Sequence, residues 1–412
     1  MESRSVIGLN GLNFFIADML TGFGPFVSVY LATNGWSPAA IGVALSVGTI
    51  AAVAGQVPAG IVVDAVRNTR LVTAAGIAAI IISALMLGAF SARWSVFGGE
   101  ILEGVSASLL TPAIATLTLA ISHSEKLAER LGSNVRFKAL GSMLAAFLMG
   151  YVGTHFGSGT VFYVAAVFGS LAVLCLLMIS SVDIANAPHR TEHRSVLPKN
   201  GRTAPMCRPQ EIWRDPRLLK FAACVFMFSF SNTPLLPFAV AGIERQGVTD
   251  TDMVVSIALI VSQAVAALIS PRLGEFAQAR GRKCILLVGF IALAIRCVLF
   301  TLYSGEIAVV VYQVLDGISA AAIGVMVPLI VSDLTHRGGR FNLAMGLIGL
   351  AMTSGATLST TFIGFVTQHL GFQIAFSSLA MVAGVGCLFV AFVMPETGDA
   401  VEHRGVPSAK RA

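Results

Sequence analysis

Apolar runs of membrane-crossing length alternate with short polar turns along nearly the whole chain, ending near Pro395. Crossing a ~30 Å hydrocarbon layer takes roughly 20 apolar residues in a helix. Runs of that kind predict twelve spans, near 6–31, 40–63, 70–90, 96–121, 128–152, 160–180, 219–241, 253–271, 284–303, 307–332, 342–366 and 374–394. The one long polar stretch, Ser181 to Leu218, carries Pro188, Pro198, Pro205, Pro209 and Pro216 and reads as a linker. The expected organisation is a six-helix half over 1–180, a linker over 181–218, a second six-helix half over 219–395 and a tail over 396–412.

The two halves repeat one another. Gly60 and Gly274, Gly150 and Gly364, His155 and His369, Gly157 and Gly371, and Phe162 and Phe376 are each 214 residues apart, and Leu102-Glu103-Gly104 returns as Leu315-Asp316-Gly317 at 213. An offset this long, between copies this apolar, indicates a duplicated membrane bundle rather than a solenoid. The fold class is therefore all-α integral membrane, with twelve helices in two pseudo-symmetric six-helix bundles.

Composition agrees, because 56% hydrophobic and 12% charged residues, with a mean hydropathy of +0.82, do not suit a water-soluble surface. The six cysteines show no paired spacing, so neither a disulfide framework nor a zinc site is expected, and no cofactor. The first apolar run is too long for the core of a signal peptide and lacks a basic segment before it, so the first helix is expected to be retained. With the N-terminus inside, only Arg93 and Arg245 of the 27 lysines and arginines fall outside and Arg296 lies within a span, which leaves 24 on the inner face. That bias places both termini and the linker in the cytoplasm. It also accounts for the net charge of +6 without a nucleic-acid partner.

The loop after span two reads Gly60-Ile-Val-Val-Asp64-Ala-Val-Arg67-Asn-Thr-Arg70, and a second copy, Gly274-Glu-Phe-Ala-Gln278-Ala-Arg-Gly281-Arg282-Lys283, follows span eight. In these residues, and in its twelve-span duplication up to about Pro395, the chain resembles the major facilitator superfamily. The resemblance implies a transporter that works by alternating access. It also implies a conformational latch of Gly60, Asp64, Arg67 and Arg70, with Gly274, Gly281, Arg282 and Lys283 in the second copy. Glycine lets helices approach, and an acid at a helix end meets cations or a neighbouring helix N-terminus. Gln278 stands where the second copy needs its acid, so the second latch is expected to be weaker. Two further signatures differ: Glu100 stands where many members have an arginine on span four, and Gly141 to Gly157 lacks the proline of the antiporter signature.

In that family spans one, four, seven and ten line the central cavity. The resemblance thus offers Asn10, Asn13, Asp18, Glu100, Glu103, Asn232, Gln313 and Asp316 as lining. The duplication supplies an internal control: a charge within a span that the other half does not repeat was not needed to build the bundle. Asp18 is unrepeated, its counterpart being Phe230, and lies ~18 Å into span one. A carboxylate there costs on the order of 2.5–3.5 kcal/mol. It is read as the proton-coupling acid, with a helix-to-helix hydrogen bond by the protonated form as the alternative. Glu103 and Asp316 are repeated acids, each next to a glycine, and serve either substrate or structure. Arg136 is ~15 Å deeper in span five than Arg340 is in span eleven, unless span five is irregular. Arg296, mid-span, calls for a partner and favours a structural ion pair.

The reading is a proton-coupled exporter of a neutral or cationic, amphipathic small molecule, not an enzyme by any sequence signature, monomeric, in a bacterial-type inner membrane. The alternatives are a metabolite importer that uses Arg136 and Arg296, or a transporter-like sensor. Orientation is tested with Ser195→Cys, Ser408→Cys and Thr249→Cys. In intact cells an impermeant thiol reagent is expected to label only the last, and labelling of Ser195→Cys without permeabilisation reverses the topology.

Overall fold

The computed structural model describes residues 4–21, 24–36, 38–66, 68–90, 92–122, 126–180, 215–245, 251–335 and 340–397. Among them the chain forms α1 (Arg4–Thr21), α2 (Gly24–Thr33), α3 (Pro38–Ala65), α4 (Thr69–Ala89), α5 (Arg93–Ile121), α6 (Leu127–Phe156), α7 (Thr160–Met178), α8 (Pro216–Asn232), α9 (Leu235–Arg245), α10 (Thr251–Arg280), α11 (Arg282–Leu302), α12 (Glu306–Thr335), α13 (Phe341–Leu370) and α14 (Phe372–Phe392). Helices α1 and α2 together occupy the first predicted span, and α8 and α9 the seventh. Every other helix is one span. Eleven stretches in the described residues are long and apolar enough to cross a membrane.

Span seven divides at Thr233-Pro234, where Thr233 still bonds back to Ser229 but Pro234 has no N–H with which to continue the helix. Span eight runs further than its apolar stretch predicts. The helix passes through Pro271 and continues to Arg280 rather than stopping near 271. A proline inside a helix removes one backbone hydrogen bond. Gly132 packs against Ser270 and Pro271 at that point, where a side chain at 132 would collide with the Ser270 carbonyl.

In spans five and eleven the repeat holds to the residue. Both ends of α6 and α13 are 214 apart, so span five is a full 30-residue helix and the irregular form is ruled out. Packing repeats as well: spans two and four, three and four, three and six, and one and six pair in the first half, and eight and ten, nine and ten, nine and twelve, and seven and twelve pair in the second. Gly104 of span four lies against the Gly48 carbonyl of span two, and its counterpart Gly317 lies against the Ser262 carbonyl. Lipid tails are as apolar as leucine, so helices in a bilayer associate through close packing of this kind.

Two compact units result. The first holds spans one to four, span five from Phe137, span six, and the start of span eleven to Leu350. The second holds the start of span five to Arg136, spans seven to ten, span eleven from Ala351, and span twelve. Within the first unit Gly60 packs on the Asn342 carbonyl, and within the second Gly274 packs on the Ala128 carbonyl; Asn342 and Ala128 are themselves 214 apart.

Gly104→Val is expected to lower the yield of monodisperse protein in size-exclusion chromatography several-fold. Gly150→Val, where nothing lies within 4 Å, is expected to leave it unchanged. Equal behaviour of the two variants would show that the Gly104 contact does not hold spans two and four together.

Candidate functional site

The densest polar cluster in the second unit surrounds Arg296 of span nine, which is 1% exposed. Its Nη1 donates to Asp316 Oδ1 and, at 2.9 Å, to Asn232 Oδ1; its Nη2 donates to Gln313 Oε1 at 2.6 Å. Ser262 of span eight completes the cluster by donating to Asp316 Oδ2 at 2.6 Å. Positions three apart share a helix face, so span ten presents Gln313 and Asp316 as two acceptors one turn apart, a spacing that suits the two terminal nitrogens of a guanidinium. The Phe300 ring lies 5.8 Å from the guanidinium carbon. An arginine buried this deeply is tolerated because one carboxylate neutralises it and neutral oxygens take further protons. Only its Nε lacks an acceptor.

The first unit has the acceptors without the arginine. Glu100 and Glu103 of span four stand 213 residues before Gln313 and Asp316. Glu100 is 5% exposed and Glu103 is half-buried. Among the described residues neither carboxylate has a hydrogen bond or an ion pair. The position 213 residues before Arg296 is Ser83, fully buried, whose hydroxyl donates to the Gly99 carbonyl at 2.8 Å. Where span eight offers Ser262, span two offers Gly48, and a β-carbon on Gly48 would stand 2.6 Å from Glu100 Oε2.

The residues expected to form the latch are arranged around helix N-termini. Asp64 Oδ1 accepts from the Asn342 backbone N–H at 3.2 Å and from Asn342 Nδ2 at 2.7 Å, and Oδ2 accepts from the Leu343 N–H at 2.9 Å. The carboxylate thus caps span eleven, where the first N–H groups have no partner within the helix. The cation acting on Asp64 is Arg340; the Arg70 guanidinium makes no ion pair among the described residues, and Arg67 lies outside them. In the second copy the acid comes from elsewhere: Glu396, beyond span twelve, accepts from the backbone N–H groups of Arg282 at 2.7 Å and Lys283 at 3.2 Å. Gly281 makes this possible, since its φ of +95 suits glycine and a β-carbon there would stand 2.6 Å from Glu396 Oε2. The Arg282 side chain bridges Asp333 at 3.1 Å and the Ala277 carbonyl at 2.7 Å.

Of the remaining sequence candidates, Asn10 and Asn13 are buried, and Asn13 Nδ2 donates to the Leu9 carbonyl at 2.9 Å. Asp18 belongs to α1, and its side chain lies outside the described residues. Arg136 is exposed, nine residues beyond the start of α6. The structure therefore gathers Asn232, Gln313 and Asp316 around Arg296 and sets Glu100 beside Glu103 on one helix. Sequence reasoning did not single out Ser262, Asn342, Glu396 or Lys138. The repeat arithmetic applied to Arg136 would have found Lys138, which stands two residues deeper in span five where span eleven has Met352. Ser262 and Asn342 carried no signal, because a serine within a membrane helix and an asparagine at a helix start are both common. Glu396 acts over 114 residues of chain.

A duplicated bundle with charged clusters inside its helices is the build of a membrane transporter. The chain belongs to the Major Facilitator Superfamily, whose sequence model matches residues 8–275 and 249–410. Proteins from two strains of Mycobacterium tuberculosis, each titled an uncharacterized MFS-type transporter, are 33% identical over 401 residues, covering 96% of this chain and 94% of theirs. Among solved structures, the proton:xylose symporter XylE bound to 6-bromo-6-deoxy-D-glucose matches with a TM-score of 0.72 at 12% identity over 96% of both chains. FucP in the outward conformation matches with a TM-score of 0.73 at 12% identity, over 94% of this chain and 98% of its own. At that identity the structures share the fold.

Breaking the Arg296–Asp316 pair from either side is expected to cost ~3 kcal/mol, the low end for a buried pair because the Asp316 side chain is 19% exposed. Arg296→Gln and Asp316→Asn should each lower the Tm in thermal unfolding, and the double variant should recover most of the loss. Additive losses in the double variant would show that the pair is not coupled.

Proposed function

We propose that this transporter is a proton-coupled exporter of a neutral or cationic, amphipathic small molecule, alternating access between its halves in a bacterial-type inner membrane with both termini cytoplasmic. The observation that carries the reading is the uneven charge balance inside the helices. Arg296 is occupied by Asp316, Asn232 and Gln313, so it is not available to an anionic substrate. Glu100 and Glu103 have no cation among the described residues, which suits protons and positive charge. Proton coupling is supported by the shared fold with a proton:xylose symporter. Asp18 remains the proposed coupling carboxylate because no acid repeats it in span seven, where Phe230 stands, and Asp64 the proposed conformational latch. The protein is proposed to act as a monomer.

One observation favours a second reading, import of an anionic metabolite: Arg136 and Lys138 stand in span five where span eleven has Leu350 and Met352. Vesicles with an imposed pH gradient, assayed against drug and metabolite panels in both directions, separate the two. Asp18→Asn removes the ionisation and nearly preserves shape. It is expected to abolish gradient-driven transport, while expression and folding persist. Accumulation of substrate by the Asp18→Asn protein under a proton gradient would make Asp18 structural and pass coupling to Glu103 or Asp316.

A further inference from the structure

The second half contains a filled cation cradle, and the first half contains the same cradle empty of its arginine. Gln313 and Asp316, one turn apart on span ten, grip the two terminal nitrogens of Arg296. Glu100 and Glu103 occupy the matching positions on span four, in a half whose span pairs two and four, three and four, three and six, and one and six recur in the second half. Glu100 is 5% exposed and unpartnered among the described residues, while half-buried Glu103 leaves a way in. Ser83 stands at the arginine's position, and its side chain is too short to reach the acids and already serves the Gly99 carbonyl. The donor that Ser262 offers Asp316 is also missing, since Gly48 takes its place and the Glu100 carboxylate lies against it.

We infer that Glu100 and Glu103 form a subsite for an N–H-bearing organic cation, a guanidinium or protonated amine, which replaces from solution the arginine that the second half supplies from its own chain. The chemistry is that of Arg296. Two acceptors a helical turn apart take two N–H donors, and each charge-assisted hydrogen bond is about twice as strong as a neutral one. Two acids at this depth are costly when ionised and unmatched; one ionised carboxylate balances the single positive charge of the bound cation, and the other, protonated, stands in for neutral Gln313 by accepting through its carbonyl oxygen. A quaternary ammonium brings charge without donors and fits less well, and a neutral alcohol brings no charge. The inference rests on the exporter reading only in treating this cation as part of the substrate; binding itself needs no transport.

The test uses the full-length protein in lipid nanodiscs and modification of Glu100 and Glu103 by a carbodiimide with glycine ethyl ester, read by peptide mass spectrometry. Phenylguanidinium is the probe, with benzyltrimethylammonium, benzyl alcohol and sodium chloride as comparison arms. Phenylguanidinium is expected to reduce modification of the pair about tenfold at saturation, and the other three to leave it unchanged. Protection by sodium makes the pair an inorganic-cation site, and equal protection by the quaternary ion or the alcohol makes it a nonspecific pocket. Either result, or no protection at all, overturns the inference. Ser83→Arg should fill the cradle, so that modification is low from the start and the probe adds nothing. If that variant does not fold, Gly48→Ala, which sets a methyl against the Glu100 carboxylate, should weaken the probe's effect. Protection that persists in Asp18→Asn while its transport is lost or retained separates this site from the coupling proposal.

Discussion

Between helices in a bilayer there is almost no hydrophobic force, so everything in this protein depends on how closely backbones approach and on which polar groups meet where they do. Gly104 on the Gly48 carbonyl and Gly317 on the Ser262 carbonyl set the separation of spans two and four and of spans eight and ten. That separation puts Glu100 beside span two and Asp316 within reach of Ser262. Without the glycines, the acids of spans four and ten would face helices a side chain further away, and neither cluster would form as it does.

Given that frame, charge decides how the halves differ. The second half meets the cost of a carboxylate in the membrane internally, by pairing Asp316 with a buried arginine. The first half carries two carboxylates without a described partner. Duplication built both from one plan, and their divergence lies in a few side chains: Ser83 against Arg296, Gly48 against Ser262, Glu100 against Gln313.

Much of the fold was legible in the sequence because the membrane imposes a length on apolar runs and the repeat marks corresponding positions. The spans were found, and the 214-residue offset recurs in both ends of α6 and α13. Helix ends were less legible: span eight outruns its apolar stretch because a helix continues wherever its backbone bonds are met, in or out of the hydrocarbon. The candidate site was half legible. Charges inside spans stand out, so Glu100, Glu103, Arg296 and Asp316 were found, but which acid meets which cation depends on helix rotation and pairing that spacing does not encode. Arg296 called for a partner by its depth, but its spacing did not say that the guanidinium reaches spans seven and ten.

Glu396 has a consequence for how the protein is made. Its carboxylate holds the first N–H groups of span nine, and it lies 114 residues further along the chain. Span nine is therefore synthesised 114 residues before the carboxylate that caps its first turn. Capping of that turn waits for a residue beyond span twelve, whose carboxylate docks beside a glycine that leaves room for it.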